Sequence, residues 1–253
     1  MLFLYILLTF VYLVGGARND CGEIPPALWC MNKHLAAECG FHELCNRYEE
    51  EMNNKTLKIT LLYESLCPDC QEYIAGPLFD VYTAFKDYIE LELIPYGNAK
   101  RDPKTDQLTC QHGPEECVLN KFQNCAVHFL DRSFEFVYCF ENSLSKGFKL
   151  EAAAKVCFAY LETDTKTIDM IGHCFQGSQG NKFQLESAKR TEAAYPEKHK
   201  YVPWLYFNDI SIGKAQSLQS SLPAAICEWF VGQNAPPSCQ QNQNTLQHCN
   251  KSP

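Results

Sequence analysis

The stretch LKITLLYESLCPDC, residues 57–70, decides the fold together with QEYIAGPLFDVYTAFKDYI, residues 71–89. The first part is an apolar, β-branched run of strand length, and the residues after the CPDC segment have helical spacing. A second apolar run, IELELIPYG at residues 89–97, predicts another strand. Parallel strands joined through a helix are covered on both faces, so this part of the chain indicates an α/β layer structure.

The rest of the chain extends this pattern. Residues 101–195 are rich in cysteine and mostly helical by pattern, with helices predicted near 151–162 and 182–194. We interpret them as an insertion. A strand within KYVPWLYFND (200–209), a turn at Asn208 and Asp209, a short ISIG strand (210–213) and a closing helix near 215–232 follow. This order indicates an open α/β layout with a helical, disulfide-rich insertion, and it permits a thioredoxin-like sheet.

The chemistry is concentrated in Cys67 and Cys70. Fifteen cysteines in 253 residues give about 0.9 C-x-x-C pairs by chance, so the spacing alone indicates nothing. The position is informative, because the pair lies where a strand ends and a helix starts, and free backbone N–H groups there favour a thiolate. An inert structural disulfide is the alternative.

This position predicts a division of labour between the two sulfurs. Cys67, nearer the helix start, is expected to be the more exposed and to attack a substrate disulfide; Cys70 then resolves the mixed disulfide. Asp69, when ionised, opposes the thiolate.

Pro203 is the second candidate site residue. It opens a strand in YVPW, residues 201–204, although it cannot donate to a sheet ladder. An ordinary trans proline is one interpretation. The other is a cis Val202–Pro203 bond beside the cysteines, which leaves the backbone of Val202 free to pair with an extended substrate.

Composition limits the function classes. The 253 residues carry 22 basic and 30 acidic side chains, a net charge of −8, and 46% are apolar. An acidic chain without a basic run is not expected to bind nucleic acid. Fifteen cysteines indicate an oxidising compartment.

The N-terminus points to the secretory pathway. Residues 2–14 are apolar and too short to span a bilayer comfortably, so we predict a signal peptide of residues 1–17; an uncleaved anchor is the alternative. No transmembrane anchor is expected in the mature chain. Asn54 and Asn250 begin N-x-S/T sequons and are candidate glycosylation sites.

The remaining boundaries follow from cysteine spacing and composition. Residues 18–48 form a predicted small module whose four cysteines have spacings that favour disulfides over zinc. Residues 49–56 are interpreted as a linker, 57–235 as the main domain and 236–253 as an irregular tail held by Cys239 and Cys249. The module's cysteines are Cys21, Cys30, Cys39 and Cys45.

The run CQHGPEECVLNKFQNC, residues 110–125, is the third candidate element. A zinc site of Cys110, His112, Cys117 and Cys125 is conceivable, but an oxidising compartment favours a structural disulfide knot and no metal. His112 is either a satisfied structural histidine or a group that tunes charge at pH 5 to 7.

This run resembles the signature C-Q-H-G-x-x-E-C-x-x-N-x-x-x-x-C of the gamma-interferon-inducible lysosomal thiol reductase (GILT) family. LIPYGNA (93–99) and YVPW (201–204) are also similar to family segments. The resemblance implies a thioredoxin-like fold that reduces protein disulfides in acidic endosomes or lysosomes, with Cys67 and Cys70 as the redox pair and Pro203 as the cis proline. The matched positions are Cys110, Gln111, His112, Gly113, Glu116, Cys117, Asn120 and Cys125.

The N-terminal module resembles a saposin A-type module, which implies a lipid or targeting role; a processed or merely structural appendage is the alternative. Setting aside four cysteines there and two in the redox pair leaves an odd number of others, so we expect a free thiol or a disulfide-linked dimer.

We therefore expect a thiol–disulfide oxidoreductase without a cofactor. Its partners are disulfide-bonded protein substrates and a small-molecule or protein thiol as electron donor. The alternatives are a secretory-pathway oxidase or isomerase on the same scaffold, and a non-catalytic, disulfide-rich protein that binds lipid or protein.

Overall fold

The computed structural model describes residues 33–52, 55–230 and 235–239. The predicted signal peptide lies outside the described residues, as do the two sequon asparagines, Asn54 and Asn250, and Cys21, Cys30 and Cys249. Among the described residues, no helix combines the length and the apolar character that crossing a bilayer requires.

The chain divides into two compact units at residue 54, and the first unit also includes residues 228–235. The first unit contains helix α1 (Lys33–Glu38) and helix α2 (His42–Met52). Gly40, at a φ of 74°, lies between these helices, and Cys39 and Cys45 are both disulfide-bonded. Helix α2 runs through half of the residues predicted as a linker, because glutamate and methionine are good helix formers.

The second unit contains a three-stranded sheet in the order β2-β1-β5. Strand β1 (Leu57–Tyr63) pairs in parallel with β2 (Ile89–Pro95), and Leu61 of β1 lies opposite Leu93. Two short strands, β3 (Lys100–Arg101) and β4 (Leu108–Thr109), form a separate antiparallel pair that was not predicted. Strand β5 (Trp204–Phe207) pairs antiparallel with the other edge of β1. Strand β1 is therefore central, which fits its almost complete burial.

Two helices connect β1 to β2, where one was predicted. Helix α3 (Pro68–Ala75) ends at Gly76, and helix α4 (Pro77–Phe85) begins directly after it. The break follows from the Gly76-Pro77 sequence, because proline has no N–H to continue the hydrogen-bond ladder of the first helix. Proline also suits the first position of a new helix.

The predicted insertion consists of five helices. They are α5 (Pro114–Phe129), α6 (Ser133–Ser145), α7 (Leu150–Tyr160), α8 (Thr165–Gln176) and α9 (Ser178–Glu192). Their shared core is strongly aromatic, and the rings of Phe122 and Phe140 lie 5.3 Å apart. The disulfides Cys125–Cys174 and Cys139–Cys157 cross-link these helices.

The chain returns to the sheet through β5 and closes with helices. Asn208 and Asp209 have positive φ, which confirms the predicted turn. The predicted ISIG strand is wrong, since Ile210 and Ser211 make only isolated bridges. A 3-10 helix (Lys214–Ser221) and helix α10 (Leu222–Trp229) replace the single predicted closing helix. The Cys227–Cys239 disulfide joins the closing helix to the tail, so the partner of Cys239 is a cysteine of the main domain.

Candidate active site

Cys67 and Cys70 lie at the start of helix α3. Cys67 is the residue that precedes the helix, with extended backbone angles (φ −77°, ψ 116°), and Pro68 occupies the first helical position. The backbone amide of Cys67 donates a hydrogen bond to the carbonyl oxygen of Glu64 at 3.3 Å. Both thiols are free; Cys67 retains 8% of its surface exposed to solvent, whereas Cys70 retains none. Both residues are thus buried, and Cys67 is the one of the two that keeps any surface in contact with solvent.

The two thiols differ strongly in acidity. A hydrogen bond from Cys70 lowers the pKa of Cys67 to about 6 against the opposing effect of burial, and the backbone N–H groups of Cys70 and Asp69 add to the lowering. The charge of Asp69 acts in the other direction, as expected from the sequence. Burial raises the pKa of Cys70 far above its ordinary range. The thiolate therefore belongs to Cys67, and Cys70 is its hydrogen-bond donor.

Val202 and Pro203 lie against this pair. The Val202–Pro203 peptide bond is cis, as predicted. The carbonyl oxygen of Val202 lies 3.9 Å from the Sγ atom of Cys67, although the two residues are 135 positions apart in the chain. The fold thus brings the entry to β5 next to the first residues of α3.

The cysteines of the predicted signature do not form a zinc site. Cys110 bonds to Cys117, and Cys125 bonds to Cys174, so none of the three sulfurs is available to a metal. The zinc alternative is therefore wrong, and the structural disulfide interpretation describes these residues.

The polar residues of the signature surround the loop between β1 and α3. The Oδ1 atom of Asn120 accepts hydrogen bonds from the amide and hydroxyl of Ser65, the amide at 3.0 Å. Gln111 accepts a hydrogen bond from the side chain of Asn98 at 2.6 Å. Gly113 precedes helix α5 with a φ of 92°, a conformation that favours glycine. The hydrogen bonds between Asn120 and Ser65 hold the loop that leads to Cys67.

His112 and Glu116 of the signature meet Glu64 of this loop. The Nδ1 atom of His112 lies 2.5 Å from Oε2 of Glu116 and 3.7 Å from Oε2 of Glu64. Both carboxyl groups are fully buried, while the histidine side chain keeps 30% of its surface exposed. The amide of Asn98 donates to Oε1 of Glu64 at 2.6 Å. We call these three side chains the acid–imidazole cluster.

Burial sets the protonation of this cluster. Burial and, next, the charge of Glu116 together raise the pKa of Glu64 to about 7. Partial burial opposes charge on His112, but hydrogen bonding and the charges of Glu116 and Glu64 leave its pKa raised overall. At mildly acidic pH the cluster therefore holds a neutral Glu64 and a charged imidazolium.

The contact between His112 and Glu116 has the geometry of a hydrogen bond rather than of two ligands on one metal ion. These are residue types that bind metals, and their candidate atoms lie within 4.8 Å of one another. However, two ligands of one zinc ion stay about 3.3 Å apart, because each lies about 2 Å from the ion. The 2.5 Å contact between His112 and Glu116 is too short for that arrangement and fits a shared proton.

A third buried carboxyl group, that of Glu141, lies near the cysteine pair. Glu141, on helix α6, accepts a hydrogen bond from Gln123 at 2.5 Å, and Gln123 also accepts from the hydroxyl of Tyr63 at 2.8 Å. Burial raises the pKa of Glu141 well above its ordinary range. The sequence analysis missed both Glu64 and Glu141. An acidic residue directly after a strongly apolar strand, as at Glu64, is the signal that could have identified the first of them.

Comparisons with known proteins agree with this chemistry. Residues 58–161 match the family described as gamma interferon inducible lysosomal thiol reductase (GILT). The chain is 32% identical to the gamma-interferon-inducible lysosomal thiol reductase of Carassius auratus, over 91% of this chain and 90% of the relative. It is 27% identical to the Mus musculus protein of the same name, over 86% and 87%.

A plant relative and a bacterial structure are also similar. The gamma-interferon-responsive lysosomal thiol protein of Arabidopsis thaliana is 32% identical over 72% of this chain and 74% of the relative. The oxidoreductase NmDsbA1 from N. meningitidis superposes with a TM-score of 0.40 at 10% identity, over 79% of this chain and 88% of that structure.

The mixed α/β fold, with a cysteine pair at a helix start beside a cis proline, defines a thioredoxin-like thiol–disulfide oxidoreductase. Its sequence similarity to the fish protein extends over nearly the whole chain. The chain belongs to the gamma interferon inducible lysosomal thiol reductase (GILT) family.

Proposed function

We propose that the protein reduces disulfide bonds of protein substrates, with Cys67 as the nucleophile and Cys70 as the resolving thiol. The observation that carries this proposal is the asymmetry of the pair. Cys67 keeps a small part of its surface exposed and is readily ionised, whereas Cys70, three positions later, is fully buried and protonated. This is the arrangement that a two-step exchange requires.

The exchange proceeds in two balanced steps. The Cys67 thiolate attacks one sulfur of the substrate disulfide; a Cys67–substrate S–S bond forms, the substrate S–S bond breaks, and the departing thiolate takes up a proton. Cys70 then loses its proton and attacks Cys67, which releases the second substrate thiol and forms the Cys67–Cys70 disulfide. A thiol donor reverses this oxidation by the same chemistry, so no cofactor is involved.

The acidity of Cys67 matters for work in an acidic compartment. A thiol with a pKa of about 6 is about 10% ionised at pH 5, whereas an ordinary thiol at ~8.5 is about 0.03% ionised. The reactive fraction is therefore about 300-fold larger. This supports an endosomal, lysosomal or extracellular location on the secretory route, as the names of the relatives suggest.

Val202 and Pro203 are proposed to receive the substrate backbone. An extended segment beside the cysteine pair pairs with the Val202 peptide group by strand addition, which places its disulfide near Cys67. The remaining signature residues are proposed to support the site rather than contact substrate. Glycosylation at Asn54 and Asn250, a disulfide-linked dimer and a saposin A-type role of residues 18–48 remain part of the proposal.

Two serine variants test the assignment. Cys67→Ser should abolish reduction of an insulin-type substrate at pH 5 and at pH 7. Cys70→Ser should instead accumulate a mixed disulfide with substrate, visible by mass spectrometry. The double variant Cys227→Ser/Cys239→Ser, which removes two cysteines outside the pair, is the control and should retain turnover. Normal turnover by Cys67→Ser would contradict the proposal.

The lowered pKa of Cys67 also favours a second candidate, an oxidase or isomerase. Stabilising the thiolate stabilises the reduced form and makes the disulfide a stronger oxidant. Equilibration of the pair with glutathione buffers separates the two directions. A potential below that of the glutathione pool supports the reductase, and one well above it supports the oxidase.

A further inference from the structure

The acid–imidazole cluster of Glu64, His112 and Glu116 lies outside the exchange chemistry described above, yet the backbone of Glu64 is hydrogen-bonded to that of Cys67. Its two carboxyl groups are fully buried and share one imidazole. Two carboxyl groups in one buried site cannot both ionise freely, because the negative charge of one raises the free energy of ionising the other. The cluster therefore has to hold a further proton or expose an unbalanced negative charge.

The hydrogen bonds indicate where that proton resides. Oε1 of Glu64 accepts the amide N–H of Asn98, but Oε2 is buried and has no hydrogen-bond partner among the described residues. Glu116, in contrast, accepts from both the backbone amide and the ring of His112. A neutral Glu64 beside a Glu116–imidazolium pair gives a cluster of zero net charge. The pKa of Glu64, raised to about 7, agrees with this state in acid.

The cluster is coupled to Cys67. The carbonyl group of Glu64 accepts the amide N–H of Cys67, so the two residues share one tight turn before helix α3. Charge on the Cys67 thiolate raises the pKa of both Glu64 and His112. Such coupling is reciprocal: a charged His112 must favour the thiolate, and an ionised Glu64 must disfavour it.

We propose that His112 and Glu64 are positioning residues that set the ionisation of Cys67. The imidazolium, held in place by Glu116, stabilises the thiolate. Glu64 stays neutral in acid and so adds no opposing charge there, but it ionises near neutrality and weakens the thiolate. The inference rests on the proposed role of Cys67. It assigns a chemical task to Glu64 and to His112, the histidine of the CQHG segment.

Other titratable groups face the same region. Helix α3 contributes Cys67, Asp69 and Cys70; β1 contributes Tyr63; helix α6 contributes Glu141; and His199 lies against the Gly97 backbone. Burial raises the pKa of Tyr63 and Glu141 and lowers that of His199. Tyr63 and Glu141 are therefore uncharged in mild acid, and His199 loses its charge at a lower pH than an ordinary histidine. The charge of Asp69 opposes the thiolate in every variant below.

The rate of carbamidomethylation of Cys67 between pH 4 and pH 9 tests the inference. His112→Gln should move the midpoint of this profile upward by on the order of 0.5 unit; Glu64→Gln should move it downward by a smaller amount, because Glu64 is mostly neutral at the midpoint of Cys67. His173→Gln and Glu115→Gln are matched controls on exposed positions of α8 and α5, and they should leave the midpoint unchanged. A purely structural role would not produce shifts of opposite sign.

Shifts in the same direction, or no shift beyond the controls, would overturn the inference. A reciprocal measurement covers the case in which His112→Gln does not fold. Cys67→Ser should lower the midpoint for ionisation of Glu64, followed by side-chain carbon NMR, and an unchanged midpoint also overturns the inference. The proposed function is judged separately by turnover of Cys67→Ser, so normal turnover in the cluster variants with an unchanged alkylation profile rejects only the cluster.

Discussion

The Sγ atom of Cys67 lies 3.9 Å from the carbonyl oxygen of Val202, and this contact joins the start of helix α3 to the entry of strand β5. In the proposed exchange, Cys67 attacks beside a peptide group of the protein itself. Pairing of a substrate segment with that peptide group would fix the position of the substrate disulfide relative to Cys67.

Backbone methylation of a substrate peptide tests this contact. N-methylation of an amide next to the substrate cysteine should raise KM by about 3- to 10-fold, because one backbone hydrogen bond contributes about 0.5 to 1.5 kcal/mol. The same change at the following residue, which points to the other side of an extended peptide, is the control. Equal effects at both positions would argue against strand addition at Val202.

Removing the charge of Asp69 should make Cys67 more acidic. Asp69→Asn eliminates the one neighbouring charge on α3 that raises the pKa of Cys67, so the thiolate fraction at pH 5 should increase about 2- to 3-fold. Stopped-flow alkylation against pH measures this shift. Glu72→Gln, an exposed charge removal on the same helix, is the control; a midpoint that rises in Asp69→Asn would contradict the electrostatic argument.

Gly97 is expected to tolerate no side chain. Its φ is 58°, and an added Cβ would lie 2.3 Å from Cγ of Glu64. Gly97→Ala should therefore lower the free energy of unfolding by about 2 kcal/mol or more. Gly147→Ala supplies the matched control, because Gly147 also has positive φ but open space around its Cα, so only the backbone cost of about 1 kcal/mol applies. Equal losses measured by urea unfolding would show that the Glu64 contact is unimportant.

The protein should be more stable in acid than at neutral pH. The pKa of Glu64 is about 7 when folded, against 4.5 as its ordinary value, so the folded state holds a proton that the unfolded state has released. The free energy of unfolding should fall by up to about 2 kcal/mol from pH 4.5 to pH 6. Above pH 6, ionisation of Cys67 in the folded state acts in the opposite direction.

Glu64→Gln should flatten this dependence between pH 4.5 and pH 6, whereas Glu115→Gln should retain it. Urea unfolding at four pH values is sufficient to compare the variants. A wild-type protein that gains stability over this range would mean that Glu64 is ionised when folded.

Local patterns were enough to predict the first strand, the cysteine pair at the helix start and the cis bond before Pro203. These features depend on neighbours in sequence or on the chemistry of one residue type. The break at Gly76 and Pro77 was also visible in the sequence, but the residues on both sides of it were interpreted as one long helix.

The pairing of distant residues could not be predicted in the same way. Nothing local indicates that Asn120 reaches Ser65, or that Glu64 meets His112, because those contacts depend on how the insertion packs on the sheet. The prediction of a strand at the ISIG segment was wrong for a related reason. Residues with strand propensity form a strand only where a neighbouring strand offers an edge to pair with. Tertiary packing, rather than propensity, decided these elements.

The complete enclosure of Cys70 has a kinetic consequence. In the proposed exchange, electrons enter and leave the enzyme through the sulfur of Cys67, so the substrate disulfide and the thiol that reduces the enzyme again have to react one after the other. A double-reciprocal plot of the steady-state rates should then give parallel lines. An excess of either the substrate disulfide or the reducing thiol should slow the reaction of the other.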